Sequence, residues 1–279
     1  MLVELLSYDF MLRALAGGIM VCLVCGFLSF FVVLKRMSFI GVGISHSAFG
    51  GLALGVTLGV SPFLSAALFA MLVAWGIGIT SRKGKLHEDT TIGIFFSAAM
   101  AFGVALISMS SEYRADLFSL LFGNILAISR EDLILLALCG GAVVLFLLLF
   151  FKELLALCFD EEVAMVGGLP VTFLYYGLLA AMAITVVSAI KVVGIVLVEA
   201  LLVIPAATGY QLARGWRAML AWAMASSLVS MIGGLLLSYA FDLASGATIV
   251  LCAALLFALA FLFSPRRRSR TCSCAPDTF

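Results

Sequence analysis

Two ionisable residues stand inside long apolar runs of this sequence, and an imidazole with a carboxylate is a pair that could hold a metal cation between them. His46 follows Lys35 and Arg36 by about ten residues; at about 1.5 Å per helical residue it lies roughly 15 Å beyond that polar joint, near the middle of a bilayer. Glu199 is the lone charged residue of the run over 192–212. An ionisable group at mid-bilayer costs about 2.5 to 3.5 kcal/mol even on insertion scales, so such a carboxylate must be protonated, face water, or meet a cation on another helix. The plainer alternatives are a packed histidine bonded to a carbonyl and a protonated acid bonded to a neighbouring helix. Further along the same run, Pro205 removes one backbone donor and crowds the carbonyl of Leu201, which predicts a kink over 201–209 of the kind found in helices that line transport paths.

A second cluster lies in a polar joint, where Asp160, Glu161 and Glu162 are followed by Ala164, Gly167, Gly168 and Leu169 before Pro170. The pattern predicts a short capped helix. Asp160 serves as N-cap, the two glutamates suit the positive end of the dipole, and Gly167 or Gly168 supplies a left-handed stop. An ordinary polar turn between two spans is the other reading.

The elements that must position these residues are set by composition: 65% of the 279 residues are hydrophobic and 11% charged, whereas soluble domains carry about 25% charge. A membrane span takes about 20 apolar residues. Runs of that order occur at 14–34, 39–58, 62–80, 91–109, 133–151, 171–190, 192–212, 218–241 and 247–263. They are apolar all round, unlike surface helices, and do not alternate as barrel strands would. The fold class is therefore an all-α polytopic membrane protein surrounded by lipid bilayer, with nine spans, or eight if 39–58 is re-entrant. Gly43, Ser47, Gly51 and Gly55 form a small-residue stripe in that run, beside His46, that lets another helix approach closely.

Lys and Arg favour the cytoplasmic side. Nine spans with the N-terminus outside leave twelve of the sixteen basic residues inside, and eight spans leave eleven. Both arrangements place the C-terminus and the joint after Lys152 in the cytoplasm. Glu4 and Asp9 stand where a cleavable leader would be basic. Basic residues gather at joints without interleaved aromatics, so nucleic acid is not an expected partner. Cys22, Cys25, Cys139, Cys158 and Cys252 read as small core residues. Residues 265–279 read as a basic, disordered cytoplasmic tail: its arginines anchor the last helix at anionic headgroups, and the Cys272 and Cys274 pair falls short of a four-ligand zinc site.

Several motifs in register carry a family resemblance. Phe31-Val32-Val33-Leu34-Lys35-Arg36-Met37-Ser38-Phe39-Ile40-Gly41, followed by Ile44-Ser45-His46-Ser47-Ala48, resembles the early signature of the zinc and manganese ABC-transporter permeases. His87-Glu88-Asp89-Thr90-Thr91-Ile92-Gly93-Ile94, Leu121-Phe122-Gly123-Asn124-Ile125-Leu126, the Asp160 to Leu169 segment, the stretch from Val193 through Glu199 and Pro205 to Thr208, and Ser245-Gly246-Ala247 follow in the same order.

The resemblance implies an ABC importer permease fold in one transmembrane domain over 1–264, a second permease copy, a cytoplasmic ATP-binding subunit, and an extracytoplasmic metal-binding protein that delivers the ion. It implies a bacterial or archaeal cell membrane, Zn2+ or Mn2+ as the transported ion with no permanently bound cofactor, and a coupling helix at about 160–169 that docks on the ATPase. The sequence holds no Gly-x-x-x-x-Gly-Lys-Ser/Thr loop, so ATP hydrolysis is expected in another chain and this one is not expected to be an enzyme. Many members carry an acidic residue four positions before the histidine, where this chain has Val42, and a small or apolar residue where it has Glu199. Glu199 is accordingly expected to supply from another helix the carboxylate that Val42 lacks. The alternatives are a permease for a metal chelate and an ion-coupled secondary transporter.

Overall fold

In a bilayer a spanning segment must satisfy its backbone polar groups internally, so long apolar runs fold as helices. A computed structural model describes residues 9–84, 87–109 and 128–264, with side chains from Leu12 onward. The tail over 265–279, its Cys272 and Cys274, and the Leu121 to Leu126 motif lie outside the described residues.

Eleven helices are present among them: α1 Asp9–Leu34, α2 Ser38–Leu58, α3 Pro62–Gly84, α4 Glu88–Met109, α5 Arg130–Leu149, α6 Phe151–Phe159, α7 Glu161–Val166, α8 Val171–Val193, α9 Ile195–Leu212, α10 Trp216–Phe241 and α11 Ser245–Leu262. All but α6 and α7, nine in number, are long and apolar enough to cross a membrane. The run read as either a span or a re-entrant segment is one unbroken helix of 21 residues. The run expected over 133–151 instead stops at Leu149. Phe150 (φ −104°, ψ 23°) ends α5 and opens α6, which buries Leu154 and Leu157. Phe151, the first residue of α6, joins Phe27, Phe30 and Phe31 of α1 at centroid distances of 5.5 to 6.3 Å.

Helix α2 is gripped on two sides through its glycines. A Cβ on Gly51 would lie 2.6 Å from Phe69 Cβ and 2.8 Å from Ala66 Cα, both on α3, and one on Gly50 would lie 2.7 Å from the carbonyl oxygen of Ala99 on α4. Ser65 Oγ seals the first contact by donating to the Gly51 carbonyl at 2.7 Å. The predicted stripe of Gly43, Ser47, Gly51 and Gly55 is buried throughout. Helix α8 runs beside α2 and α3, and α9 packs among α1, α2, α10 and α11. The joint between α8 and α9 turns at Gly194, whose φ of 84° and ψ of 163° belong to a region open essentially to glycine alone. That joint is buried: Val192, Val193 and Ile195 are 1%, 0% and 3% exposed.

Candidate metal-binding site

The two residues singled out in different runs meet. His46 Nδ1 on α2 lies 2.8 Å from Glu199 Oε1 on α9. Counted from the polar joints that flank their runs, the two sit several ångströms apart in depth. The contact itself shows that the two residues are level in the folded chain, where the α8–α9 joint at Val192, Val193 and Ile195 is buried. Ser45 Oγ donates to the same carboxylate oxygen.

The tautomer of His46 follows from its neighbours. Nδ1 also faces the carbonyl of Val42 at 3.1 Å, and a carbonyl only accepts, so the proton belongs on Nδ1. In the neutral imidazole Nε2 then keeps its lone pair, and among the described residues neither Nε2 nor Glu199 Oε2 has a bonding partner. A carboxylate that fixes the tautomer and orientation of an imidazole in this way is the usual support of a metal-binding histidine. The imidazole packs edge-on to Phe96 of α4, centroids 5.0 Å apart. The side chains of His46 and Glu199 are 22% and 20% exposed, so neither is sealed in the core.

Among the described residues no group of three or more His, Cys, Asp or Glu gathers where it could hold a metal. The pair offers two ligands at most, and the rest of a coordination shell would come from water, hydroxyl or carbonyl oxygen. Such a shell suits a hard ion in transit better than a structural zinc, which takes four protein ligands. Position 42 contributes its carbonyl. Ser45 and Phe96 were not distinguishable from core residues in the sequence: the first is one of many small residues in its run, and the second comes from another helix.

Pro205 is buried within α9, which continues through it from Ile195 to Leu212. Ser226 Oγ of α10 donates to the Pro205 carbonyl at 3.3 Å.

The joint read as a capped helix is one. Asp160 accepts from the amides of Glu162 and Val163 at 2.9 and 3.1 Å. The left-handed stop falls on Gly168 (φ 78°), while Gly167 caps the helix at φ −70°. The Leu169 amide closes the motif onto the Ala164 carbonyl at 3.1 Å. Glu161 turns back into the protein, to Lys35 and Arg82, and Ala164 is buried. The outward surface is largely apolar beside the exposed Asp160 and Glu162: Phe159 at the end of α6 and Val163, Met165 and Val166 of α7 are 67%, 67%, 59% and 90% exposed. Polar type alone had drawn attention to the acidic residues, and the helix turns its apolar ones outward.

Comparison with known proteins gives a consistent picture. The profile of the ABC 3 transport family matches residues 7–264. The manganese transport system membrane protein MntC of Halalkalibacterium halodurans is 40% identical over 95% of this chain and 90% of its own length. A probable iron transport system membrane protein of Haemophilus influenzae is 35% identical over 95% of this chain and 98% of its own length. Among solved structures, PsaBC from Streptococcus pneumoniae in complex with Fab superposes with a TM-score of 0.86 at 35% identity, covering 97% of this chain and 99% of the matched one.

Proposed function

We propose that this chain, which belongs to the ABC 3 transport family, is the membrane-spanning permease of an ATP-driven importer of divalent metal ions and that manganese is the ion it carries. The observation that carries the reading is the His46–Glu199 contact between two spans of the family fold. Of the two ions left open by the sequence, manganese is the one named for the Halalkalibacterium relative, and a shell completed by oxygen ligands agrees with it. The name of the Haemophilus relative makes iron the second reading.

The ion arrives from an extracytoplasmic binding protein and exchanges part of its hydration shell for the His46 imidazole and the Glu199 carboxylate, which share one ion only once the bond between Nδ1 and Oε1 gives way, because Nε2 faces away from Glu199 while that bond holds. Because only two protein ligands hold it, it leaves easily. Movement of α2 against α9 separates the two ligands and releases it, with Pro205 acting as a bend point in α9 where one helical hydrogen bond is missing. The energy comes from a separate cytoplasmic ATP-binding subunit that docks on the apolar face of α7. Residues 1–264 form the transmembrane domain, α7 and the C-terminus face the cytoplasm, and a second permease copy completes the path. The chain itself holds no phosphate loop.

The test is manganese and iron accumulation in metal-starved cells expressing the chain with its ATPase and binding protein, for wild type, Glu199→Gln and His46→Ala at matched membrane levels. ATPase-dependent manganese uptake that both variants abolish supports the reading. Uptake unaffected by both variants removes the site and leaves the family. Iron taken up in place of manganese favours the second reading.

A further inference from the structure

Helix α7 has two faces with different partners, and the inward one reaches the helix that carries His46. Glu161, its first residue, is held by two cations from two other parts of the chain. Lys35 Nζ donates to Glu161 Oε2 at 2.6 Å and to the Leu157 carbonyl at 3.3 Å, and Arg82 donates to Glu161 Oε1. Neither cation is loosely placed. Lys35 lies in a turn fixed by the left-handed Arg36 (φ 61°) and by a 2.8 Å bond from the Met37 amide to the Val32 carbonyl, immediately before α2 begins. The guanidinium of Arg82, in the last turn of α3, stacks 3.9 Å over the Tyr175 ring of α8. All three charged side chains are less than a third exposed. The pairs are thus partly shielded and better able to transmit force than surface ion pairs.

What these cations are attached to matters more. Lys35 lies in the turn between α1 and α2, its amide bonded to the Phe31 carbonyl of α1 at 2.9 Å, and Arg82 lies in the last turn of α3; α2 and α3 are in close contact where Gly51 lies against Phe69 and Ala66. His46 lies on this closely packed pair, and Glu199, on α9, does not. We infer that Glu161 is a positioning residue that carries displacement of α7 to the metal site, dragging the α2–α3 pair through Lys35 and Arg82 and so shifting His46 relative to Glu199. The inference rests on the permease reading above. Docking belongs to the apolar outward face of α7, transmission to Glu161, and the two functions can be lost separately.

The experiment uses the permease with its ATPase and binding protein in sealed vesicles, measuring manganese accumulated, ATP hydrolysed and ATPase retained on the permease. Glu161→Gln keeps the side-chain shape and removes the charge. Expected are unchanged ATPase retention, hydrolysis within about twofold of wild type, and roughly tenfold fewer ions moved per ATP, the scale that substitutions in a coupling network produce. The pair Lys35→Met with Arg82→Met should match it, and the triple variant should be no worse, because the three groups form one connection. A merely structural role would lower the amount of active complex and leave the ion-to-ATP ratio alone. The inference is overturned if Glu161→Gln keeps the wild-type ratio, or if it releases the ATPase. Should Glu161→Gln not reach the membrane, the lysine–arginine pair carries the same comparison with the same deciding outcomes. Wild-type vesicles separate the two levels: if they hydrolyse ATP and import no divalent ion, the permease reading falls and this inference with it. If they import and only the variant ratio is unchanged, the inference alone falls.

Discussion

Ser45 and His46, adjacent on α2, both direct a polar atom at Glu199 Oε1 on α9, so one carboxylate oxygen holds the serine and the imidazole while its other oxygen stays uncommitted. This division of labour predicts graded effects. Ser45→Ala removes one supporting bond to a carboxylate, worth about 1 to 2 kcal/mol, and should weaken manganese half-saturation of uptake by roughly tenfold with the maximal rate retained. Glu199→Gln keeps an acceptor for Nδ1 but removes the negative charge that would face the ion, and should abolish uptake. Equal losses in the two variants would mean that Ser45 is itself a ligand.

The packing of α2 predicts where the fold is least forgiving. Gly51→Ala would place Cβ 2.6 to 2.9 Å from atoms of Phe69, Ala66 and Ser65, two of them backbone, and helices cannot part there without breaking the Ser65 bond. The expected cost is at least about 2 kcal/mol, read as a lowered unfolding temperature of the detergent-solubilised protein. Gly93→Ala, on an open surface of α4 with nothing within 4 Å, should be neutral or stabilising by up to about 1 kcal/mol, since alanine is the better helix former.

The spans were legible in the sequence because a bilayer imposes length and composition on each one separately. The small-residue stripe beside His46 was legible for a related reason: close helix approach leaves a four-residue trace. The meeting of His46 with Glu199 was anticipated from two ionisable residues in apolar runs together with the family pattern, in which the acidic residue is missing at Val42. Its geometry was hidden, because depth was counted from polar joints and nothing in Val192-Val193-Gly194-Ile195 announces that this turn is buried. The break at Phe150 was hidden too, since the apolar run continues across it. At α7 the sequence disclosed the cap but not the facing. An acidic first turn satisfies the helix dipole whether it points to solvent or to Lys35 and Arg82.

Cys158 offers a reporter for the α7 end. It lies in α6, its thiol facing the Phe31 carbonyl, and burial pushes it up to about 12 despite the nearby Lys35 ammonium. The thiol stays protonated as pH rises until that value is approached, so at pH 8 roughly one molecule in ten thousand is thiolate. Maleimide modification of Cys158 should therefore be far slower than that of a thiol introduced by Glu162→Cys on the exposed side of α7, and should quicken about tenfold per pH unit up to about pH 11. Comparable rates at pH 8, followed by mass spectrometry of the peptides, would show that α6 does not shield the thiol.

Position 42 gives the sharpest test of how the site is built. Val42 lies one helical turn before His46, half-buried, and presents its carbonyl to the imidazole. A carboxylate introduced there would share a helix face with His46, since residues four apart are neighbours. In the wild-type background, Val42→Asp adds a second negative charge beside Glu199; manganese should bind more tightly and leave more slowly, so half-saturation falls while maximal uptake drops. In the Glu199→Gln background the same substitution replaces the lost charge, and uptake should return to within a few-fold of wild type. Rescue in the double variant, measured as initial manganese uptake at matched membrane levels, requires that the carboxylate be needed near His46 whichever helix supplies it. If Val42→Asp leaves Glu199→Gln inactive while the double variant still assembles with its ATPase, then Glu199 serves α9 itself and the two-helix site is wrong.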